Sequence, residues 1–194
     1  MIHSLEIRRQ ILHFLYGPLL VILYQKGILT LPLLGTMVII GAGASYMIKH
    51  QRLSPIAYVL RFFERDHHMK NFPGRGILFF TLGAFLCLFL FEKSIAYAGI
   101  LILSTGDAVS NLVGRHFGRI KTRLNPDKFF EGTILGILTT LPIAYYFVPN
   151  ALAAVSACCL AMVLEMPHIK LFDFEIDDNL IIPVAASFTL NLFV

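Results

Sequence analysis

Long apolar runs separated by short polar clusters set the pattern of this chain. Seven runs approach the roughly 20 residues that a helix needs to cross a bilayer. They extend over Ile11–Tyr24, Ile28–Ile48, Gly76–Phe91, Ser94–Leu112, Phe130–Val148, Asn150–Met166 and Asn179–Val194. Only Glu92 and Lys93 separate the third run from the fourth, which predicts a tight hairpin. The fifth and sixth meet at Pro149 and Asn150, where proline cannot continue a helix and asparagine suits an N-cap. Between the second and third runs, "LSPIAYVLRFF" places Ile56, Val59, Leu60 and Phe63 at helical spacing, with Ser54 as a cap and Pro55 in the first turn. Arg52, Arg61 and Arg65 flank that stripe, as expected of a short helix lying on the membrane surface. His67 and His68 follow it and are expected in a solvated loop. The expected fold class is all-α. One polytopic membrane domain covers residues 1–194, with about seven transmembrane helices and one short cytoplasmic interfacial helix.

Composition agrees with the pattern. The chain has 194 residues, 57% of them hydrophobic, and a mean hydropathy of +0.73, which excludes an ordinary water-soluble domain. No small-residue cleavage site follows Arg8 and Arg9, so a cleaved signal is not expected. Cys87, Cys158 and Cys159 all lie in apolar runs and read as small buried hydrophobes. With seven spans, one side carries two Lys/Arg before the first span, six in the second loop, five in the fourth and one in the sixth, whereas the other side carries Lys26 and Lys93. The positive-inside rule then puts the N-terminus in the cytoplasm and the C-terminus on the far side, in a cell inner membrane or an ER-type membrane. No nucleic-acid partner is expected. A small-residue face on spans five and six is compatible with a homodimer.

That topology gathers the acids. Asp107 lies near the cytoplasmic end of span four, Glu131 opens span five, Glu165 closes span six, and Asp177 and Asp178 precede span seven. A carboxylate in the bilayer core costs about 2.5–3.5 kcal/mol on insertion scales. One Asp–Arg packing pair would explain Asp107 alone, but not five acids at one depth. A hard cation such as Mg2+ would, because it takes carboxylate and phosphate oxygens together. Ser104, Asp107, Asn111 and Gly114 share one helical face, with Ser110 beside them. Gly114 and Gly118 admit either a ligand or a neighbouring helix; Gly132 and Gly136 read as packing positions. The run Arg115, Arg119, Lys121, Arg123 and Lys128 reads either as topological charge or, lying between two acids, as the cations a polyphosphate needs.

The stretch "GDAVSNLVGRHFGR" followed by "KFFEG" resembles the nucleotide-binding signature shared by phosphatidate cytidylyltransferases and the CTP-dependent lipid kinases, which include dolichol kinase, phytol kinase and the CTP-type diacylglycerol kinase. Asp107, Gly114, Gly118, Lys128, Glu131 and Gly132 match it, and Phe129 stands where Ser or Thr is usual. "EIRRQILH" resembles the kinases' N-terminal segment through Glu6, Arg8, Arg9 and His13, with Gln10 in place of Lys. "DDNLIIPV", with Glu165 upstream, resembles their C-terminal segment, and the cytidylyltransferases' terminal signature is absent.

The resemblance implies CTP as phosphoryl donor, a lipid alcohol as acceptor and membrane lipids as surroundings. It implies Mg2+ held by Asp107 and one or both of Asp177 and Asp178, with Asn111 and Asn179 orienting them. Lys128, with Arg115 or Arg119, would clamp phosphates beside Gly114 and Gly118. Glu131 would orient Lys128 or bind metal. Glu165 or a free Asp oxygen would take the hydroxyl proton. His13 would touch substrate or pack as a hydrogen-bonded core residue. The acceptor remains open among dolichol, phytol, another isoprenoid alcohol and diacylglycerol. The alternative activity is CDP-lipid and pyrophosphate formation from phosphatidate and CTP. A transporter or scaffold would be a third reading, but a transport pathway should leave ionisable residues at several depths, and the far half of the spans has almost none.

Overall fold

Each of the seven apolar runs carries a helix in the computed structural model, which describes residues 4–50, 54–167, 170–171 and 174–194. Among the described residues the elements are helices, apart from a two-residue antiparallel pairing and an isolated bridge between Lys121 and Phe129. In order the helices are α1 (Ser4–Gln25), α2 (Leu31–Lys49), α3 (Ser54–Arg61), α4 (Asp66–Asn71), α5 (Arg75–Leu90), α6 (Lys93–Phe117), α7 (Phe130–Phe147), α8 (Ala151–Leu164) and α9 (Asp178–Asn191). The pairing joins β1 (Lys170–Leu171) to β2 (Phe174–Glu175) between α8 and α9. Arg52 and the capping side chain expected of Ser54 lie outside the described residues.

Local chemistry sets several boundaries. Pro32 occupies the first turn of α2, where a missing N–H costs nothing. Asn150 caps α8 by accepting from the backbone N–H groups of Leu152 at 3.1 Å and Ala153 at 3.2 Å. Its replacement by alanine is expected to lower stability by about 1 kcal/mol, read as a lower midpoint of thermal unfolding in detergent. α6 runs past the apolar run to Phe117 and so keeps Gly114 on the helix of Asp107, as the spacing predicts. One departure from the sequence pattern lies near the site: His67 and His68 belong to α4, a six-residue helix, rather than to a loop. The Glu64 carboxylate accepts from the backbone N–H of Gly74 at 2.6 Å and so ties the start of α4 to the start of α5.

Among the described residues, three helices are long and apolar enough to cross a bilayer: α2, α6 and α7. They differ in surroundings. In its apolar window α6 is 83% buried, against 17% for α2 and 22% for α7, so α6 is the central pillar. α1, α5, α7, α8 and α9 pack around it, and α2 packs on α5. Ala96, Ala98, Ile102 and Leu103 of α6 are buried in the core with Ala157 and Met162 of α8 and Ile182 and Ala186 of α9. Outside, α2 exposes Ile39 and Ile40. An exposed apolar surface of this kind suits hydrocarbon.

Small residues let α9 approach α6. A methyl group at Gly99 would lie 2.6 Å from the carbonyl oxygen of Pro183 and against the Ser187 hydroxyl. The backbone oxygen cannot move aside without shifting α9. Gly99→Val is therefore expected to destabilise the protein by about 1–3 kcal/mol or more. It should also displace the N-terminal end of α9, so activity should fall together with the thermal midpoint.

Candidate active site

Four separate segments bring their polar ends to one place. α6 supplies Asp107, Ser110 and Asn111; the loop between α6 and α7 supplies Lys128; the C-cap of α8 supplies Glu165; and the N-terminus of α9 supplies Asp177, Asp178 and Asn179. His13 of α1 completes the set. These residues, Ser110 excepted, line one cavity of about 420 Å³. The same cavity is lined by the apolar side chains of Leu12, Leu60, Phe63, Ile77 and Phe80 and the ring of Tyr16, together with Arg9, Glu64, Arg65 and His68.

At the centre Lys128 Nζ is ion-paired with Glu165 and lies 3.7 Å from Asp107 Oδ1. Asn111 Nδ2 donates to Asp107 Oδ1 at 2.7 Å, one helical turn away. Ser110 Oγ donates to Glu165 Oε1 at 2.5 Å. The Asp107 and Glu165 side chains are 9% and 3% exposed, so Lys128 sets one positive charge against two carboxylates that water scarcely reaches. Burial alone would discharge Lys128, but Glu165 and Asp107 outweigh it and raise its pKa.

A second group faces the first. Arg75 Nε donates to Asp177 Oδ2 at 2.8 Å, and Asn179 Nδ2 donates to Asp177 Oδ1 at 2.8 Å. Burial, reinforced by the neighbouring Asp178, pushes the Asp177 carboxyl up to about 7 against the opposing pull of Arg75. His13 bridges the two groups. Asn179 uses its Nδ2 as a donor to Asp177, so its Oδ1 accepts from His13 Nε2–H, at 2.6 Å. The other ring nitrogen, Nδ1, points to Asp107 Oδ2 at 3.6 Å and has no hydrogen-bond partner.

The loop that carries Lys128 is itself ordered. Lys121 pairs with Phe129, and Thr122 N–H donates to the Lys128 carbonyl at 2.9 Å. Glu131 secures its base: the carboxylate accepts from the backbone N–H of Arg119 at 2.9 Å and of Ile120 at 3.1 Å. Glu131 therefore stands outside the cavity, turned to backbone rather than to Lys128 Nζ. Gly118 and Arg119 also lie outside the cavity, while Gly114 lines a crevice beside it with Phe129 and Lys128. The ring of Phe129 occupies the space a side chain at Gly118 would need, and its Cβ lies 3.4 Å from where one at Gly114 would start. At the position where the resembled signature has a hydroxyl, this chain packs an aromatic ring against two glycines. Removing the Glu131 carboxylate (Glu131→Ala) is expected to loosen this loop, read as faster backbone hydrogen exchange at Arg119 and Ile120.

Among the described residues, no three His, Cys, Asp or Glu side chains converge closely enough to enclose a metal ion. An all-protein cage is not what Mg2+ requires, since it commonly keeps waters and takes one or two carboxylates plus substrate phosphates. Asp107 inside the cavity and Asp178 at its edge fit that shared mode.

Sequence reasoning missed Arg75, which it counted only as topological charge, and the apolar lining. Nothing local links Arg75 to Asp177, 102 positions away.

Neither a protein-family model nor a solved structure matches the chain. It is 27% identical over 129 residues to CTP-dependent diacylglycerol kinase 1 of Schizosaccharomyces pombe, an alignment covering 60% of the chain and 59% of that protein. It is 22% identical over 195 residues to chloroplastic phytol kinase 1 of Arabidopsis thaliana, covering 93% of the chain and 64% of that protein. Over 79 residues it is 35% identical to chloroplastic farnesol kinase of Arabidopsis thaliana, covering 38% of the chain and 26% of that protein. The chain thus spans less than two thirds of the length of each of these relatives. At this modest identity, the similarities support the CTP-dependent lipid kinase family.

Proposed function

We propose that this chain is an integral membrane kinase that transfers the γ-phosphoryl group of CTP to a lipid alcohol at the cytoplasmic face of its membrane. The observation that carries the reading is the meeting of Asp107, Lys128 and Glu165, from three separate segments, in a cavity that is also lined by apolar side chains. The named relatives are kinases of diacylglycerol, phytol and farnesol, which makes a lipid hydroxyl the acceptor class.

Phosphoryl transfer needs positioning and charge stabilisation more than covalent chemistry. Lys128 sits between two carboxylates and turns to the incoming phosphates, with Arg115 at the cavity edge. Asp107 and Asp178, with Asp177 behind, would hold Mg2+, which supplies charge neutralisation for the phosphates when bound. Asn111 and Asn179 keep the acids aligned. The Lys128 ammonium, once drawn to phosphate, uncovers Glu165, which accepts the proton of the acceptor hydroxyl as the new oxygen–phosphorus bond forms and CDP leaves. Glu131 acts as a positioning residue through the loop that holds Lys128. The seven apolar helices would all span the bilayer, with the shorter ones thinning it locally, and the basic loops would put the site on the cytoplasmic side.

The deciding experiment gives purified protein labelled CTP, Mg2+ and a panel of lipid alcohols and phosphatidate. Phosphorylated alcohol with CDP is the expected result. CDP-lipid and pyrophosphate from phosphatidate would replace the kinase reading with the cytidylyltransferase one, and no product from any acceptor would overturn both.

A further inference from the structure

The cavity has two kinds of edge. Among the described residues, the lining residues that are exposed as whole residues divide by chemistry, and the Arg65 side chain, 42% exposed, adds a charge just after α3. Leu12, Val59 and Ile77 are 36%, 58% and 43% exposed and belong to α1, α3 and α5. Arg115, Asp127 and Asp178 are exposed as well, and belong to the end of α6, the loop before α7 and the start of α9. His13, Asp107, Lys128 and Glu165 line the same cavity, none of them exposed.

We infer that the cavity is a passage with two mouths, one polar for nucleotide and one apolar through which the lipid acceptor enters sideways from the bilayer, and that Leu12, Val59 and Ile77 are its acceptor-contacting residues. The inference rests on the kinase reading for the identity of the occupant and goes beyond it in locating the path. Three observations favour hydrocarbon at the apolar mouth. Leu12 adjoins Ile11 and Leu15, which are 49% and 58% exposed, so the mouth is continuous with an apolar outer surface. α1 packs along α6, and its link to α5 is made by side chains: Tyr16 and His13 meet Phe80 edge-on at 5.1 and 4.8 Å, and Tyr16 bonds to Thr81 at 2.8 Å. Phe80 is 1% exposed and forms the floor on which the carbons next to the hydroxyl would lie. At the other mouth the exposed groups are all charged, which suits a hydrated nucleotide carrying a divalent cation and repels a chain.

Two measurements test this. First, a long-chain alcohol bearing a diazirine near its hydroxyl is incorporated into liposomes with the intact protein and photolysed, and the labelled peptides are mapped. Labelling concentrated on α1, α3 and α5 around Leu12, Val59 and Ile77 is expected; labelling confined to α7 or α8 would overturn the assignment. Second, Leu12→Trp and Ile77→Trp are compared with Leu138→Trp, on the outer face of α7. The first two should raise KM for a long-chain acceptor roughly tenfold, with KM for CTP unchanged, and the third should change neither. Equal effects on both substrates, or none, would overturn the portal. Labelling needs no turnover. Absence of transfer by wild-type protein with the α1–α5 labelling intact would therefore remove the kinase reading while leaving the lipid path in place.

Discussion

Asp107→Asn is expected to yield a folded, monodisperse protein whose transfer activity is lower on the order of a thousandfold or more. The substitution keeps the volume of a side chain that is nearly sealed from water. It leaves the Lys128–Glu165 pair in place, so the central cation is still neutralised. An asparagine amide can still meet Asn111, whose Nδ2 lies 2.7 Å from Asp107 Oδ1 and also bonds to the Asp107 backbone carbonyl at 2.9 Å. What disappears is one negative charge at the point where the acids face the cavity. If that charge shares a divalent cation with the phosphates, its loss removes stabilisation needed throughout the reaction. The check is paired: size-exclusion profile and thermal midpoint for the fold, product formation from labelled CTP for the chemistry. Wild-type activity in this variant would end the assignment of Asp107 to the reacting groups.

Lys128→Met should be more damaging, because it harms both fold and function. The ammonium is the shared partner of Asp107 and Glu165. Without it two buried carboxylates face each other with Ser110 and Asn111 as the remaining donors. Removing one member of a buried ion pair typically costs about 3–5 kcal/mol, since the charge left behind is desolvated and unpaired. Activity should be undetectable, because the cation proposed to bind the phosphates is gone. The two effects separate in a double variant. Lys128→Met combined with Glu165→Gln removes one stranded charge and should regain much of the lost stability while remaining inactive. Thermal midpoints for the wild type, both single variants and the double variant give the coupling energy directly. Additive losses of stability would mean that the Lys128–Glu165 contact does not hold the site together.

How much of this was legible beforehand depended on how local each feature is. The helices were legible because a backbone in hydrocarbon must satisfy its own hydrogen bonds, so each apolar run has one answer. The Asn150 cap was legible for the same reason: it acts within three residues. The convergence of Asp107, Glu165 and the Asp177–Asn179 segment was readable from counting charges and alternating helix directions, because depth along a helix follows from sequence position. The roles of Glu131 and Phe129 were not. Glu131 turned onto the Arg119 and Ile120 backbone, and Phe129 filled the space beside Gly114 and Gly118, because the loop between α6 and α7 folds on itself.

The sequence by itself determined that this chain is a set of apolar helices, and it singled out Asp107, Lys128, Glu165 and the Asp177–Asn179 segment as candidate chemistry. Only the tertiary structure decided which side chains touch. It paired Arg75 with Asp177, set His13 between Asp107 and Asn179, and brought apolar side chains of α1, α3 and α5 into the cavity lining. The physical reason is that periodicity specifies which residues share a face and a depth, whereas the rotation and approach of one helix against another depend on contacts such as Gly99 against Pro183, between residues far apart in the chain.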